Sequence, residues 1–185
     1  MLQNIAALSH KIREMKSFGQ TPEELEEFLD FFEQDLQNIR RVRNFCEQKD
    51  IEVEFFVHAK AETVQESAEN TGVEPREVVK TLVFKSGDGF VAVLCPGDTS
   101  VDEDKLEEVL GGKVEMATPS EVEEETGYIV GGVSPFDLDI RVLMEEEILD
   151  RDTVKPSAGS RLAGVRIQPE ELERAVEPEV VDVSR

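Results

Sequence analysis

A glycine-rich segment at residues 126–136 carries the strongest indication of chemistry in this chain of 185 residues. It holds three glycines, Gly131 and Gly132 among them, followed by Pro135. Glycine permits positive φ and close backbone approach, and proline fixes its own φ and favours an extended residue before it. Such a loop can present backbone N–H groups to a ligand, although glycine count alone favours an ordinary tight turn.

Lys80 is the second candidate, because it lies inside an apolar run at residues 78–84. Alternation along a strand places Lys80 on the same face as Leu82 and Phe84. A lysine is almost never fully buried unless it is paired. An inward Lys80 would therefore contact an anion, whereas a Lys80 at the end of the strand would reach solvent.

The other reactive side chains give weaker indications. His58 ends an apolar run and could act as a general base, but the sequence places no carboxylate beside it. Cys95 also ends an apolar strand, where a free cysteine is commonly a core residue. The sequence has no Walker loop, dinucleotide fingerprint or zinc-ligand spacing.

The formal charge of −22 comes from 42 acidic and 20 basic residues spread along the chain. Acidic proteins usually avoid nucleic acid, because phosphate binding depends on Lys and Arg. The interpretation we favour is adaptation to a salty cytoplasm, since the screening length falls to about 3 Å at 1 M salt. At such a salt concentration the net negative charge would not prevent RNA from binding at one local site.

The composition also predicts the compartment. No run of about 18 apolar residues is present, so we expect no membrane span, and the first residues do not resemble a signal peptide. The two cysteines, Cys46 and Cys95, lie far apart. We therefore expect a reduced, cytoplasmic protein.

Residues 1–49 are predicted to form a separate helical extension. A capping-box pattern from Thr21 to Glu24 precedes apolar residues at three- and four-residue steps up to Phe45. We expect this stripe to pack within the chain. A homodimer through these N-terminal helices is the alternative.

Residues 50–177 are predicted to form one domain, followed by a frayed tail at 178–185. Strands are expected at 51–57, 79–85, 90–95, 114–117, 140–144, 147–149 and 164–167, and short helices at 63–71, 102–110, 120–126 and from 169. Residues 157–160 are predicted to be a polar turn. Because no steady βαβ alternation is present, the fold class is α+β rather than a doubly wound sheet.

Several short motifs occur in order and together are specific. The run resembles the YbaK/prolyl-tRNA synthetase-associated editing family, over about residues 55–175. The motifs are Thr63, Ser67-Ala68, Thr71-Gly72-Val73, Val79-Lys80-Thr81-Leu82-Val83-Phe84, Asp104-Lys105-Leu106, Met116-Ala117, Thr126-Gly127-Tyr128 and Gly131-Gly132-Val133-Ser134-Pro135.

The resemblance implies a mixed, partly closed β-sheet flanked by short helices. It also implies a freestanding deacylase that hydrolyses the ester of mischarged tRNA, with the aminoacylated tRNA 3′ end as partner and a synthetase as a further one. A catalytically inactive tRNA- or nucleotide-binding module of the same fold is the alternative. No cofactor or metal is expected.

The resemblance also implies roles for individual residues. Lys80 would lie near the terminal adenosine, and Gly131 and Gly132 would offer backbone groups to the carbonyl. The same pocket would be shaped by Val133, Ser134, Pro135, Thr63, Gly159 and His58.

Overall fold

The computed structural model describes residues 22–57, 74–87 and 89–185, with side chains from residue 33 onward. Four α-helices are described: α1 (Pro22–Gln48), α2 (Glu103–Leu110), α3 (Pro119–Thr126) and α4 (Pro169–Val176). The strands are β1 (Glu54–Val57), β2 (Val78–Ser86), β3 (Gly89–Pro96), β4 (Val114–Met116), β5 (Arg141–Glu145), β6 (Lys155–Ser160), β7 (Ala163–Arg166) and β8 (Glu179–Val181). Short 3₁₀ helices occupy Pro75–Glu77 and Glu146–Asp150.

The eight described strands form one mixed sheet in the order β1-β7-β6-β2-β3-β5-β8, with β4 paired to β2. The β2–β3 hairpin is antiparallel and aligns Lys80 with Cys95. β6 runs parallel to β2, and β5 runs parallel to β3. The predicted α+β class with a mixed sheet and flanking helices is confirmed.

Alternation along the central strands gives the sheet two apolar faces. The α1 face carries Val79, Val83 and Leu94, which pack in one cluster with Val42 of α1 and Leu172 of α4. The α2 face carries Phe84, Val91, Val93 and Leu143, which pack with Leu106 of α2 and Val183. Both faces are covered, so the central strands are buried on both sides.

Local sequence signals explain where the short helices begin and end. Asp102 caps α2 by accepting bonds from the N–H groups of Asp104 and Lys105. Thr118 and Glu121 form a capping box at the start of α3, and Pro119 occupies its first turn. Gly127 ends α3 with a left-handed φ of 70°. This cap leads the chain directly into the glycine-rich segment.

The stripe of α1 packs within the chain, as expected. Val42 and Cys46 are almost fully buried in the α1-face cluster. Lys49 at the end of α1 donates to the carbonyl of Ala175 in α4. α1 therefore lies directly on the sheet. The boundary of an independent domain at residue 49 and a homodimer through the N-terminal helices stay predictions.

Three local predictions were wrong. Residues 147–149 are part of a 3₁₀ helix, in which Ile148 is buried. Residues 157–160, predicted as a polar turn, belong to β6, because Ser157 and Ser160 pair with β7. Residues 177–185 are ordered: β8 pairs with β5, and Val183 is fully buried. In the second and third cases, pairing with a neighbouring strand decided the structure.

Other expectations lie outside the described residues. The predicted helix at 63–71, His58 and Thr63 fall in the range that the structure does not describe. Among the helices that are described, none has the length and apolar character that a membrane crossing needs.

The buried C-terminal segment yields a stability prediction. Val183→Ala should lower the free energy of unfolding by about 1–3 kcal/mol, because it removes two methyl groups from the α2-face core. Urea unfolding followed by circular dichroism measures the change. Asp182→Ala is the matched control, since its exposed ion pair with Lys105 is screened by solvent. Equal stability of Val183→Ala and the parent would show that this segment does not dock in solution.

Candidate active site

A hydrogen bond joins residues near the two ends of the segment at residues 126–137. The hydroxyl of Tyr128 donates to the carbonyl of Phe136 at 2.9 Å, and both side chains are fully buried. The hydroxyl of Thr126 donates to the carbonyl of Val122 and accepts from the N–H of Tyr128. Burial raises the pKa of Tyr128, so the phenol stays a donor at ordinary pH. Residues 129–135 therefore project from a fixed base.

Within this segment the glycine loop, residues 131–135, lies against the turn between β6 and β7. A Cβ on Gly132 would come within 3.1 Å of the backbone of Ser160, and within 3.2 Å of the nitrogen of Arg161. Gly131 has φ +87°, a conformation that favours glycine. The glycines are therefore required by close approach to the chain's own backbone.

Two serines fasten the glycine loop to β6. The hydroxyl of Ser134 donates to the carbonyl of Ser157 at 2.8 Å, and the hydroxyl of Ser157 donates to the carbonyl of Gly132 at 3.0 Å. Ser134 is fully buried, and Pro135 beside it is buried as well. The serines hold the main chain of the loop at two points, so its N–H groups have fixed directions.

Some of those N–H groups are unused. The N–H of Gly132 donates to the carbonyl of Ile129 at 2.9 Å. The N–H groups of Gly131 and Val133 donate to no atom of the described residues. Gly131 is exposed and Val133 is buried. Buried main-chain donors without a partner are rare in folded proteins, and a bound ligand is one way to satisfy the N–H of Val133, whereas the exposed Gly131 can also donate to solvent.

Gly159, in β6, is also held tightly. It has φ +86°, and a Cβ there would come within 2.9 Å of the Tyr128 ring and 3.0 Å of Asn38. The N–H of Gly159 donates to the hydroxyl of Ser157. Gly159 thus lets α1 and the base of the loop meet on β6. Gly159 therefore supports the glycine loop indirectly, through β6.

Lys80 lies on β2, with a half-buried side chain. Its amine donates to the carbonyl of Thr99 at 2.5 Å, in the turn after β3. Lys80 shares the α2 face with Leu82 and Phe84, as predicted, whereas Val133 and Phe136 pack on the α1 face. Between Lys80 and the glycine loop, both of which the structure describes, no bond is recorded.

Lys80 and the serine that holds the loop lie on neighbouring strands. The β2–β6 ladder consists of two pairs, Val78 with Lys155 and Val79 with Pro156. Lys80 and Ser157 are the next residues on their strands, where β6 turns to pair with β7. A shared pocket between Lys80 and the glycine loop stays a prediction.

Residues of α1 that sequence reasoning missed form the outer support of the site. Arg41 donates to the carbonyl of Thr126 and pairs with Asp137 at 2.6 Å. Its guanidinium lies 4.5 Å from the centre of the Tyr128 ring. The amide of Asn38 donates to the carbonyl of Gly127. The sequence signal that could have revealed these residues was a polar residue within an apolar helical stripe.

Asp35, also on α1, is a buried carboxyl group. It is 1% exposed, and neither oxygen accepts a well-formed hydrogen bond. Burial raises the pKa of Asp35, and the nearby Ser160 hydroxyl and Arg161 charge lower it by less. The carboxyl group lies behind the same β6–β7 turn on which Gly132 rests.

Cys95 does not act as a nucleophile in this arrangement. The side chain is fully buried, and its sulfur lies 3.2 Å from the hydroxyl of Thr99. Burial raises the pKa of the Cys95 thiol. Among the residues that the structure describes, no group of three or more His, Cys, Asp or Glu side chains could hold a metal ion.

Comparison with known proteins identifies the matched region. The model of the aminoacyl-tRNA editing domain family matches residues 58–175. The protein YwhH of Bacillus subtilis is 36% identical over 113 residues, which are 60% of this chain and 72% of YwhH. Proline--tRNA ligase of Thermotoga maritima is 34% identical over 87 residues, 46% of this chain, and the match spans 15% of the ligase.

Solved structures have the same fold. A protein proposed to be a trans-editing enzyme for prolyl tRNA synthetase superposes with a TM-score of 0.73 at 30% identity, over 80% of this chain and 97% of that one. A second structure, of a hypothetical protein, has a TM-score of 0.74 at 32% identity, over 78% of this chain and 99% of that one.

The close approach of Gly132 yields a direct test of the loop's geometry. Gly132→Ala should lower the free energy of unfolding by about 1–3 kcal/mol, because the added methyl group must displace main chain rather than a flexible side chain. Urea unfolding measures the loss. Gly112→Ala is the control, since a Cβ there meets nothing within 4 Å, and it should stay within about 0.5 kcal/mol of the parent. Equal stability of both variants would place the loop away from the turn.

The raised pKa of Asp35 predicts that replacing this residue increases the stability of the fold in a pH-dependent way. The folded protein ionises this carboxyl at higher pH than the unfolded chain, so the ionised form destabilises the fold above the folded pKa. Asp35→Asn should therefore be more stable than the parent near pH 7. The gain should vanish as the pH falls through the folded pKa towards about 4.

Urea unfolding of Asp35→Asn and the parent at several pH values measures this gain. The matched control is Glu33→Gln, an exposed carboxylate on the same helix, which should change stability by less than about 0.5 kcal/mol at every pH. A variant Asp35→Asn that is less stable than the parent at pH 7 would contradict the burial of an unpaired charge.

Proposed function

The chain belongs to the aminoacyl-tRNA editing domain family, and from this we propose that it is a freestanding deacylase that hydrolyses the ester of mischarged tRNA. The proposed substrate is the aminoacylated 3′ end of a tRNA. Similarity to proline--tRNA ligases and to a proposed trans-editing enzyme supports this substrate class. The match spans only 15% of the ligase, so the proposal concerns editing and not aminoacylation.

The observation that carries the proposal is the set of unused main-chain donors on a fixed loop. Ester hydrolysis begins when water attacks the carbonyl carbon, and the carbonyl oxygen then becomes negatively charged. Donors aimed at that oxygen contribute about 10²–10³ in rate each. The N–H groups of Gly131 and Val133 have no other partner among the described residues.

Lys80 is suited to hold the tRNA end rather than to transfer a proton. An ammonium group has three donors, of which one is bound to the carbonyl of Thr99. The remaining donors can meet a phosphate or ribose oxygen of the terminal adenosine. We propose that Lys80 anchors the nucleotide while the glycine loop receives the aminoacyl carbonyl.

The proposed reaction needs no group beyond water and the substrate. The attacking water forms a bond to the carbonyl carbon and loses a proton. The tetrahedral intermediate then collapses, the bond to the ribose oxygen breaks, and that oxygen takes a proton. The neighbouring hydroxyl of the substrate ribose is placed to assist this transfer. The products are the free amino acid and uncharged tRNA.

The need for a second hydrolytic site has a physical basis. One methylene group in a binding pocket gives only about 10- to 200-fold discrimination. A separate site that hydrolyses wrong esters multiplies that selection. We propose a cytoplasmic setting, where synthetases release their products, and a high salt concentration that screens the net charge of −22 from the tRNA.

One observation favours a second candidate, a binding module that has lost catalysis. Among the described residues, which include neither histidine, no carboxylate forms a hydrogen bond to residues 131–135. In this case Lys80 and the loop would hold a tRNA end or a nucleotide without hydrolysing it.

A matched pair of lysines on β2 tests the proposed function. Lys80→Ala should lower the deacylation of mischarged tRNA at least 100-fold, because it removes the proposed anchor. Lys85→Ala, on the same strand, should remain within about twofold, since Lys85 pairs with Glu115 and Glu121. A panel of mischarged tRNAs, assayed at low and at molar salt, measures release of the amino acid.

The two candidates give different results. Unchanged turnover by the folded variant Lys80→Ala would reject the role of Lys80. Wild-type protein that binds mischarged tRNA but releases no amino acid from any member of the panel would establish the binding module instead.

A further inference from the structure

Arg41 of α1 contacts both ends of the segment that contains the glycine loop. One guanidinium nitrogen donates to the carbonyl of Thr126 at 2.8 Å, at the end of α3. Another pairs with the carboxylate of Asp137 at 2.6 Å, and the third donates to the carbonyl of Asp137. A single side chain therefore spans residues 126 and 137.

The geometry around Arg41 leaves little freedom. A Cβ on Gly127 would come within 2.9 Å of the Arg41 guanidinium, so glycine at this helix end makes room for it. Asp137 adopts φ 57°, a left-handed conformation that is uncommon for a residue other than glycine. Arg41 holds that residue by its side chain and its carbonyl. The rare conformation and its partner thus occur together at the exit of the segment.

The side chain of Arg41 also packs against a ring inside the segment. The guanidinium lies over the ring of Tyr128, whose hydroxyl binds the carbonyl of Phe136. Arginine suits this position, because its planar fork can serve two acceptors and stack on a ring at once. Lysine offers a single charged nitrogen and cannot span both ends.

We propose that Arg41 is a positioning residue that sets the direction of the unused N–H groups of Gly131 and Val133. A reactive constellation must be held within about 0.5 Å of its productive geometry. The hydrogen bonds of Ser134 and Ser157 fix the glycine loop to β6. Arg41 fixes the two ends of the segment at residues 126–137 that contains the loop. This inference rests on the proposed deacylase function.

The proposal gives α1 a role in the site. The editing-domain match begins at residue 58, after α1 has ended at Gln48. α1 supplies Arg41 and Asn38, which both bind the segment at its entrance. The helix therefore completes the site rather than only covering the sheet.

The test compares Arg41→Ala, Arg41→Lys and Asp137→Asn in the full chain. Arg43→Ala is the matched control, since Arg43 is exposed on the same helix and pairs only with Glu47. With a mischarged tRNA as substrate, Arg41→Ala should lower kcat at least tenfold and change KM less than threefold. Arg41→Lys should recover only part of kcat, and Arg43→Ala should match the parent.

Hydrogen exchange supplies a readout that does not depend on activity. Amides in a peptide covering residues 126–137 should exchange at least tenfold faster in Arg41→Ala, while those of the central strands stay unchanged. If wild-type protein releases no amino acid, the proposed function fails, and this measurement still decides whether Arg41 orders the segment.

The remaining outcomes are also decisive. Parent-like kcat and parent-like exchange in Arg41→Ala would overturn the proposal, as would an equal loss in Arg43→Ala. If Arg41→Ala does not fold, Asp137→Asn removes only the carboxylate and keeps a residue that tolerates the left-handed conformation. Asp137→Asn with unaltered kcat and exchange would then overturn it.

Discussion

The close approach of Gly132 to the β6–β7 turn is the contact on which the rest of the site depends. At this point two stretches of main chain lie so close that a Cβ on Gly132 would come within 3.1 Å of the backbone of Ser160. The approach allows Ser134 and Ser157 to exchange hydrogen bonds with opposing carbonyl groups. The N–H groups of Gly131 and Val133 have no partner among the described residues. A larger residue at position 132 would disturb the serine bonds and the free donors together.

Part of the support for this contact comes from α1. α1 precedes the region matched by the editing-domain family, yet its polar side chains lie behind β6 and over the base of the loop. Arg41 binds both ends of the segment, and Asp35 is buried unpaired near Ser160 and Arg161. The unpaired carboxyl group costs stability at neutral pH. Polar groups that a stable core would avoid are thus gathered behind the loop.

Lys80 and the glycine loop lie on neighbouring parts of the sheet, without a hydrogen bond between them among the described residues. The parallel ladder between β2 and β6 ends after two pairs, and the two strands then separate. Lys80 follows on one strand and Ser157 on the other. The amine is engaged by the carbonyl of Thr99, so binding of a tRNA end would use its remaining donors.

Much of the fold followed from local sequence signals. Alternation placed Lys80 with Leu82 and Phe84, and the short helices predicted at 102–110 and 120–126 are present at 103–110 and 119–126. These features depend on near neighbours, so a single sequence reveals them. Two of the three errors share one cause. Residues 157–160 and 179–181 are short segments without a clear local strand pattern, and each is a strand because another strand supplies its hydrogen bonds.

The candidate site divides in the same way. The sequence by itself determined the glycine loop and the lysine as the notable residues, because both depart from the local pattern of a strand or helix. Only the tertiary structure decided what the glycines approach, which carbonyl the amine of Lys80 binds, and that Arg41 reaches both ends of the segment at residues 126–137. Those relations join residues 19 to 96 positions apart. They arise from the packing of α1 and the parting of β2 and β6, which no local pattern encodes.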